Sequence, residues 1–300
     1  MVLQLAIGAV IGAVVMVFAV MAGLAFIEPG EYGVPAPLYM LLKDIVGPVA
    51  AGFGGAVSGA LVSYKYQQDT ERKASAKAKV RNYNKAVAIL ASKLNDVGSL
   101  KRIFVLPFQN DAVRFIRMPV VSGRYTTPGS AVELLEEILI EHGLHKLYTD
   151  IGIVEALYFS VHDSVGSRDR IIEKHRDRAD EVSHRYGRRL TLRDVAEIHG
   201  VPSLVRLYVY TEDIISLIDE CIASISSVMK RLNEECASRV KDAGGKLVRY
   251  EDIENEEVFK KTVPPYFKTA DELVAAIGLE DYSNSLADRG WSHHHKYQWK

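Results

Sequence analysis

Four arginines, Arg185, Arg188, Arg189 and Arg193, fall within nine residues that contain no acid. Guanidinium groups are planar donors that take phosphate oxygens two at a time, so this basic turn is a candidate site for a nucleotide, a nucleic-acid phosphate or an anionic headgroup. The competing reading is a solvated turn. Just upstream, Arg168 to Arg178 interleave with Asp169, Glu173, Asp177 and Asp180, a pattern expected of an exposed helix face whose charges pair among themselves.

The other reactive residue types are less organised. Nine histidines are scattered along the chain. His142 and His145 have the spacing of a helical metal pair, but Gly143 lies between them and no third ligand is near in sequence. His293, His294 and His295 sit beside Trp291, Tyr297 and Trp299 and read as a polar tail or an aromatic contact. No metal and no cofactor is expected. The phosphate-binding, dinucleotide-binding, nucleophile-elbow and zinc-protease motifs are all missing. Glu136-Glu137 and Glu256-Glu257 read as surface pairs. The two cysteines, Cys221 and Cys236, fall in one expected helix, too far apart along it to bridge, and read as reduced thiols. With 37 basic against 38 acidic residues, the chain is no general polyanion binder, and any nucleic-acid contact must be local.

One stretch, Thr191-Leu-Arg-Asp-Val-Ala-Glu-Ile-His-Gly-Val-Pro-Ser203, resembles the start of the helix-turn-helix in DNA-binding domains of the lac-repressor type. Thr191, Leu192, Asp194, Val195, Ala196, Gly200 and Val201 carry the match. The resemblance implies a recognition helix after Gly200. Pro202 stands where that family has serine, Val205 arrives one residue early, and the helix that follows is far longer than a recognition helix. The alternative is a capped helix turning into the long helix of a bundle.

The elements that must position these residues are expected to be mainly α-helical. Val80, Tyr83, Val87, Leu90, Leu94 and Val97 step by three and four along a helix that Gly98 ends. Arg102–Phe108 and Val113–Val121 are rich in β-branched and aromatic residues but interrupted by Pro107 and Pro119, so they read as edge strands or extended loop, a minor β component. Ser130 and Glu133 form a capping box for a helix closed by Gly143. Asp150–Tyr186 is helical, with a break expected at Gly166-Ser167. The strongest periodicity is Leu204, Leu207, Thr211, Ile214, Ile218, Cys221, Ile225, Val228 and Leu232, widened by Ile215, Ile222 and Met229 into the stripe of a bundle helix that Gly244-Gly245 ends. Thr269 and Glu272 cap a short helix stopping at Gly278.

Ahead of all this lie two nearly uncharged apolar runs, Val2–Ile27 and Ile45–Tyr64. The first is too long, and too poor in basic residues at its start, for a cleaved signal peptide. Together they predict a transmembrane helical hairpin over residues 1–67, with spans at 3–27 and 45–64. A helical bundle is expected over 68–243 and an appendage over 244–300. Gly8 and Gly12 in the first run, and Gly52, Gly55 and Gly59 in the second, are small-residue steps that let helices approach closely. Lys65, Arg72, Lys73, Lys77, Lys79, Arg81 and Lys85 follow the second run, which by the positive-inside rule places both the N-terminus and the bundle in the cytoplasm of a bacterial inner membrane. No ionisable residue lies at mid-span, which argues against a proton-coupled transporter.

The expected function is therefore an integral membrane protein in contact with membrane lipids, its bundle serving homo-oligomerisation or binding of a cytoplasmic protein or complex. The two-span layout is like that of membrane-acting effectors of bacterial antiviral defence or toxin systems. The alternatives are a passive anchored scaffold and a membrane-tethered enzyme acting on a phosphate-containing ligand at the arginine turn.

Overall fold

The computed structural model describes residues 12, 37, 40, 44, 47–121, 129–186, 191–240, 246–250 and 256–278. Among them the chain is mainly α-helical and contains no strand. It divides into two compact units, Met1–Ser75 and Ala76–Lys300.

The first unit is described through helix α1, Gly47–Leu100, as far as Ser75. Alanines 56 and 60 favour helix, while Gly52, Gly54, Gly55 and Gly59 each cost about 1 kcal/mol relative to alanine. Pro48 occupies the first turn, where its missing N–H is no loss. Val49, Phe53 and Val62 stand 66, 54 and 70% exposed. The space where a Cβ would sit on Gly12, Gly52, Gly55 or Gly59 is open to 4 Å, so these small residues do not receive a neighbouring helix among the described residues. The expected span at 45–64 needs correction on one point. Glycine, serine and proline dilute its apolar residues, and among the described residues no helix is long and apolar enough to cross a membrane. The other expected span, with Gly8, lies outside the described residues apart from Gly12.

In the second unit the periodic stripes become the core. Val80, Tyr83, Val87, Leu90, Leu94 and Val97 are all buried along the remainder of α1. A short helix α2, Arg114–Arg117, follows, and then α3, Ala131–Glu141, and α4, His145–Tyr186. Helix α5, Leu192–His199, leads into α6, Val201–Arg231, the longest helix lying wholly within this unit's described side chains. Every residue of the α6 stripe from Leu204 to Val228 is buried, as are Ile215, Ile222 and Met229. Such a wide stripe faces several helices at once: α6 packs along α4 and also meets α2 and α5, while α3 packs on α4. Truncating one fully buried member, such as Ile218 or Ile225, removes about 2–5 kcal/mol. After α6 a π-helical turn, Leu232–Cys236, and α7, Ala237–Val240, continue the buried line, while a 3₁₀ turn, Glu257–Phe259, and α8, Ala270–Ile277, close the described chain.

Four local expectations are corrected. Gly98 does not end α1. It makes room, because a Cβ there would stand 3.3 Å from Val258 Cγ1 in the C-terminal 3₁₀ turn. The residues expected as strands are instead a π-helical turn, Lys101–Val105, a 3₁₀ turn, Leu106–Phe108, and α2. Gly166-Ser167 does not break α4. Finally, Arg168 and Asp169 are not solvated but buried.

That burial bears on the second of the two expected strands. The Arg168 guanidinium donates to the carbonyls of Phe115, Met118 and Pro119 at 3.2, 3.0 and 3.1 Å, to Thr211 Oγ1 at 3.2 Å and to Asp169 Oδ1 at 3.2 Å. All five of its donor hydrogens are matched by acceptors. Asp169 Oδ2 in turn accepts from Val121 N at 2.8 Å. The backbone of residues 115–121 thus finds in two side chains the partners a neighbouring strand would supply.

The caps behave largely as expected. Ser130 Oγ accepts from Glu133 N at 3.3 Å, but the carboxylate that receives Ala131 N is Glu155 of α4, at 2.8 Å. Thr191 and Asp194 form a full reciprocal capping box on α5. Gly200, with φ +80°, is the single residue between α5 and α6. Gly278, with φ +71°, stops α8. Gly244-Gly245 and the C-terminal histidine run lie outside the described residues.

Candidate functional site

Helix α6 has one side that the core does not cover, and two clefts flank it there. The larger, about 390 Å³, lies between Ser216, Asp219, Glu220, Ile222 and Ala223 of α6, Lys101 of the π-helical turn, and Val258 to Lys261. The smaller, about 300 Å³, lies between α6 and Asp150, Ile153 and Val154 of α4, and ends at Arg231. Both are lined by Ala223. Cavities from about 300 to 1,000 Å³ suit small ligands or a partner's anchoring side chains.

At the base of the larger cleft, the Lys101 ammonium lies 2.7 Å from Asp219 Oδ1 and also donates to the carbonyl of Lys260. Asp219 further accepts from Thr262 N at 2.7 Å and Thr262 Oγ1 at 3.0 Å. This buried set ties the C-terminal segment to α6 and leaves neither charge for a ligand. Ser216, Glu220, Lys260 and Lys261 remain at the rim, around the apolar surface of Ile222, Ala223 and Val258. In the smaller cleft Arg231 is held by Asp150 and by Glu235 at 2.8 Å. Both clefts offer apolar surface with charged edges, and neither lining contains a cysteine or histidine.

Two further ion pairs are buried or nearly so. Arg114 reaches both oxygens of Glu212 and also the carbonyls of Gln109 and Val263, each at 2.9 Å. Lys93 Nζ lies 2.6 Å from Glu155 and over the rings of Tyr158 and Phe159 at 5.5 and 5.6 Å. None of these pairs was singled out in the sequence, because the two charges of each lie far apart along the chain. Lys93, between Leu90 and Leu94 on the apolar stripe, is the one with a local signal.

The arginine turn is only partly visible. Arg193, on α5, is exposed and pairs with Glu197 at 3.2 Å. Arg185 belongs to α4, with its side chain outside the description, and Arg188 and Arg189 lie outside the described residues. On the described helices the structure gathers His175 of α4, His199 of α5 and Ser203 of α6. The imidazole rings meet edge to face at 4.3 Å, and Ser203 Oγ lies 3.2 Å from His175 Nε2. Both rings are nearly buried at the junction of three helices. The stretch similar to a helix-turn-helix has a one-residue turn, and in the first two turns of α6 only Arg206 is exposed. Among the described residues no group of three metal-ligating side chains converges.

Comparison with protein-family models, with curated proteins and with solved structures gives no match for this chain.

Proposed function

We propose that this chain is a membrane-associated protein whose helical bundle binds a partner, a second copy of itself or a cytoplasmic protein, without transforming it. The observation that carries the membrane half is the exposure of α1 ahead of Lys65. Val49, Phe53 and Val62 leave most of their surface uncovered beside open glycines, which is costly in water and natural against lipid or a second apolar helix. Since no described helix is long and apolar enough to cross a membrane, the support for a crossing is the uncharged apolar sequence Val2–Ile27. The binding half is supported by the two clefts beside α6, which offer apolar surface with charged edges and whose buried charges serve the fold.

The test is extraction of membranes from expressing cells with alkaline carbonate. An inserted chain stays with the membranes, and release into the supernatant would refute the proposal. The effector version adds that high expression collapses membrane potential and that Gly55→Leu with Gly59→Leu abolishes the effect. A potential that stays normal at high expression rules that version out.

A further inference from the structure

An asparagine pair builds a surface that neither of its chain segments shows alone. Asn84 of α1 donates to the carbonyl of Lys246 at 2.9 Å and accepts from Val248 N at 2.9 Å. Asn233 donates to the carbonyl of Tyr250 at 2.7 Å and accepts from Tyr250 N at 3.3 Å. Residues 246–250 are thereby tied to α1 and to the π-helical turn after α6. Leu247 and Tyr250 pack inward on the main core, while Lys246, Val248 and Arg249 face out.

The side of α1 that carries Asn84 is itself basic. Lys77, Arg81 and Lys85 are spaced by four residues, one turn apart, and all three are exposed. With Lys246 and Arg249 they make a face of five cations around the side chain of Val248, which is 49% exposed. Lys79, on an adjoining side of α1, is neutralised by Glu137 and Glu141. Among the described residues the five cations have no such partner; Glu234, next to Asn233 in the sequence, is an exposed acid, and Glu251 and Asp252 follow Tyr250 in the sequence. Like charges repeated at i, i+4 disfavour a helix unless something anionic meets them.

We infer that this face is a docking surface for anionic phospholipid headgroups. Clustered lysine and arginine near a membrane are attracted to the acidic leaflet, and Val248 gives the centre of the face an apolar side chain that enters the interface. The choice of lipid over other polyanions rests on the membrane reading above. It is strengthened by the balanced charge of the whole chain, which leaves an extended nucleic acid little else to hold.

The test uses the full chain carrying Val248→Cys labelled with an environment-sensitive fluorophore. The two native thiols are buried, so labelling of the folded protein is selective. The protein is mixed with vesicles of phosphatidylcholine alone or of phosphatidylcholine with phosphatidylserine. Co-sedimentation and probe emission are both read. Insertion predicts co-sedimentation with both vesicle types. The docking inference predicts a blue shift only with phosphatidylserine, reversed by high salt, lost in the Lys77→Glu, Arg81→Glu, Lys85→Glu triple variant, and weakened about fivefold in apparent affinity by Lys85→Gln alone. Circular dichroism confirms that the variants keep their helix. An equal shift on both vesicle types, or one indifferent to charge reversal, overturns the docking inference while leaving insertion standing. A shift on phosphatidylserine without co-sedimentation on neutral vesicles upholds docking and defeats insertion. A shift caused by a DNA duplex and not by phosphatidylserine assigns the face to nucleic acid and overturns the inference.

Discussion

The Lys101 ammonium and the Asp219 carboxylate meet at 2.7 Å beneath the C-terminal segment, with Lys101 1% exposed. Asp219 is also the acceptor for the Thr262 amide. Removing the cation alone leaves a largely desolvated carboxylate, so Lys101→Met should cost about 3–5 kcal/mol in urea unfolding. Adding Asp219→Leu should cost less than the two single changes summed, since the residues act as one unit. Hydrogen exchange offers the local check: the Thr262 amide should exchange faster once Asp219 is replaced.

Arg168 predicts a different sensitivity. Its five hydrogen bonds run to five acceptors on three stretches of chain, and its guanidinium carbon lies 4.9 Å from the Phe104 ring centre. A lysine keeps the charge but brings three donors and no plane. Arg168→Lys should therefore unfold nearly as easily as Arg168→Met, each losing about 3 kcal/mol or more. If the lysine variant is as stable as the parent, charge alone holds residues 115–121 and the donor geometry is irrelevant.

Alkaline pH should weaken the fold through its thiols. Burial pushes Cys221 up to about 12 and Cys236 up to about 11 from the ordinary 9.0. Above pH 9 the unfolded chain surrenders these protons while the folded chain keeps them. The folded state then binds more protons, and stability falls as pH rises, by up to about 1.4 kcal/mol per pH unit for each thiol. The same burial holds Arg168 down, to about 10, which acts in the opposite direction but only above that pH. Urea midpoints should thus decline between pH 9 and pH 10, and Cys236→Ala should decline less steeply than the parent.

What the sequence made legible follows from distance along the chain. The stripes of α1 and α6 and the caps at Ser130 and Thr269 depend on neighbours within four residues, and each is where the spacing predicts it. Arg168 and Asp169 looked like surface because their immediate neighbours are charged. The carbonyls that bury Arg168 lie about fifty residues upstream, in a segment whose β-branched and aromatic residues suggested a strand instead. The basic face is less legible still: Asn84 and Lys246 are separated by 162 residues, and neither is unusual in its own segment. The arginine turn was plain in the sequence, yet its described member, Arg193, is occupied by Glu197.

Gly98 supplies the sharpest test of how the C-terminal segment seats on α1. In a helix interior, replacing glycine with alanine ordinarily stabilises by about 0.5–1 kcal/mol. Here the added Cβ would meet Val258 Cγ1 at 3.3 Å, closer than comfortable contact, and Val258 is 5% exposed with little room to retreat. Gly98→Ala should consequently gain nothing, whereas Gly98→Ala combined with Val258→Ala should recover the helix benefit relative to Val258→Ala alone. Gly98→Leu is too large for the 3₁₀ turn to yield and should cost about 1–3 kcal/mol. A thermal-unfolding series of these variants measures each difference. Should Gly98→Leu prove as stable as the parent, the residues around Val258 are not seated on α1, and the glycine serves another purpose.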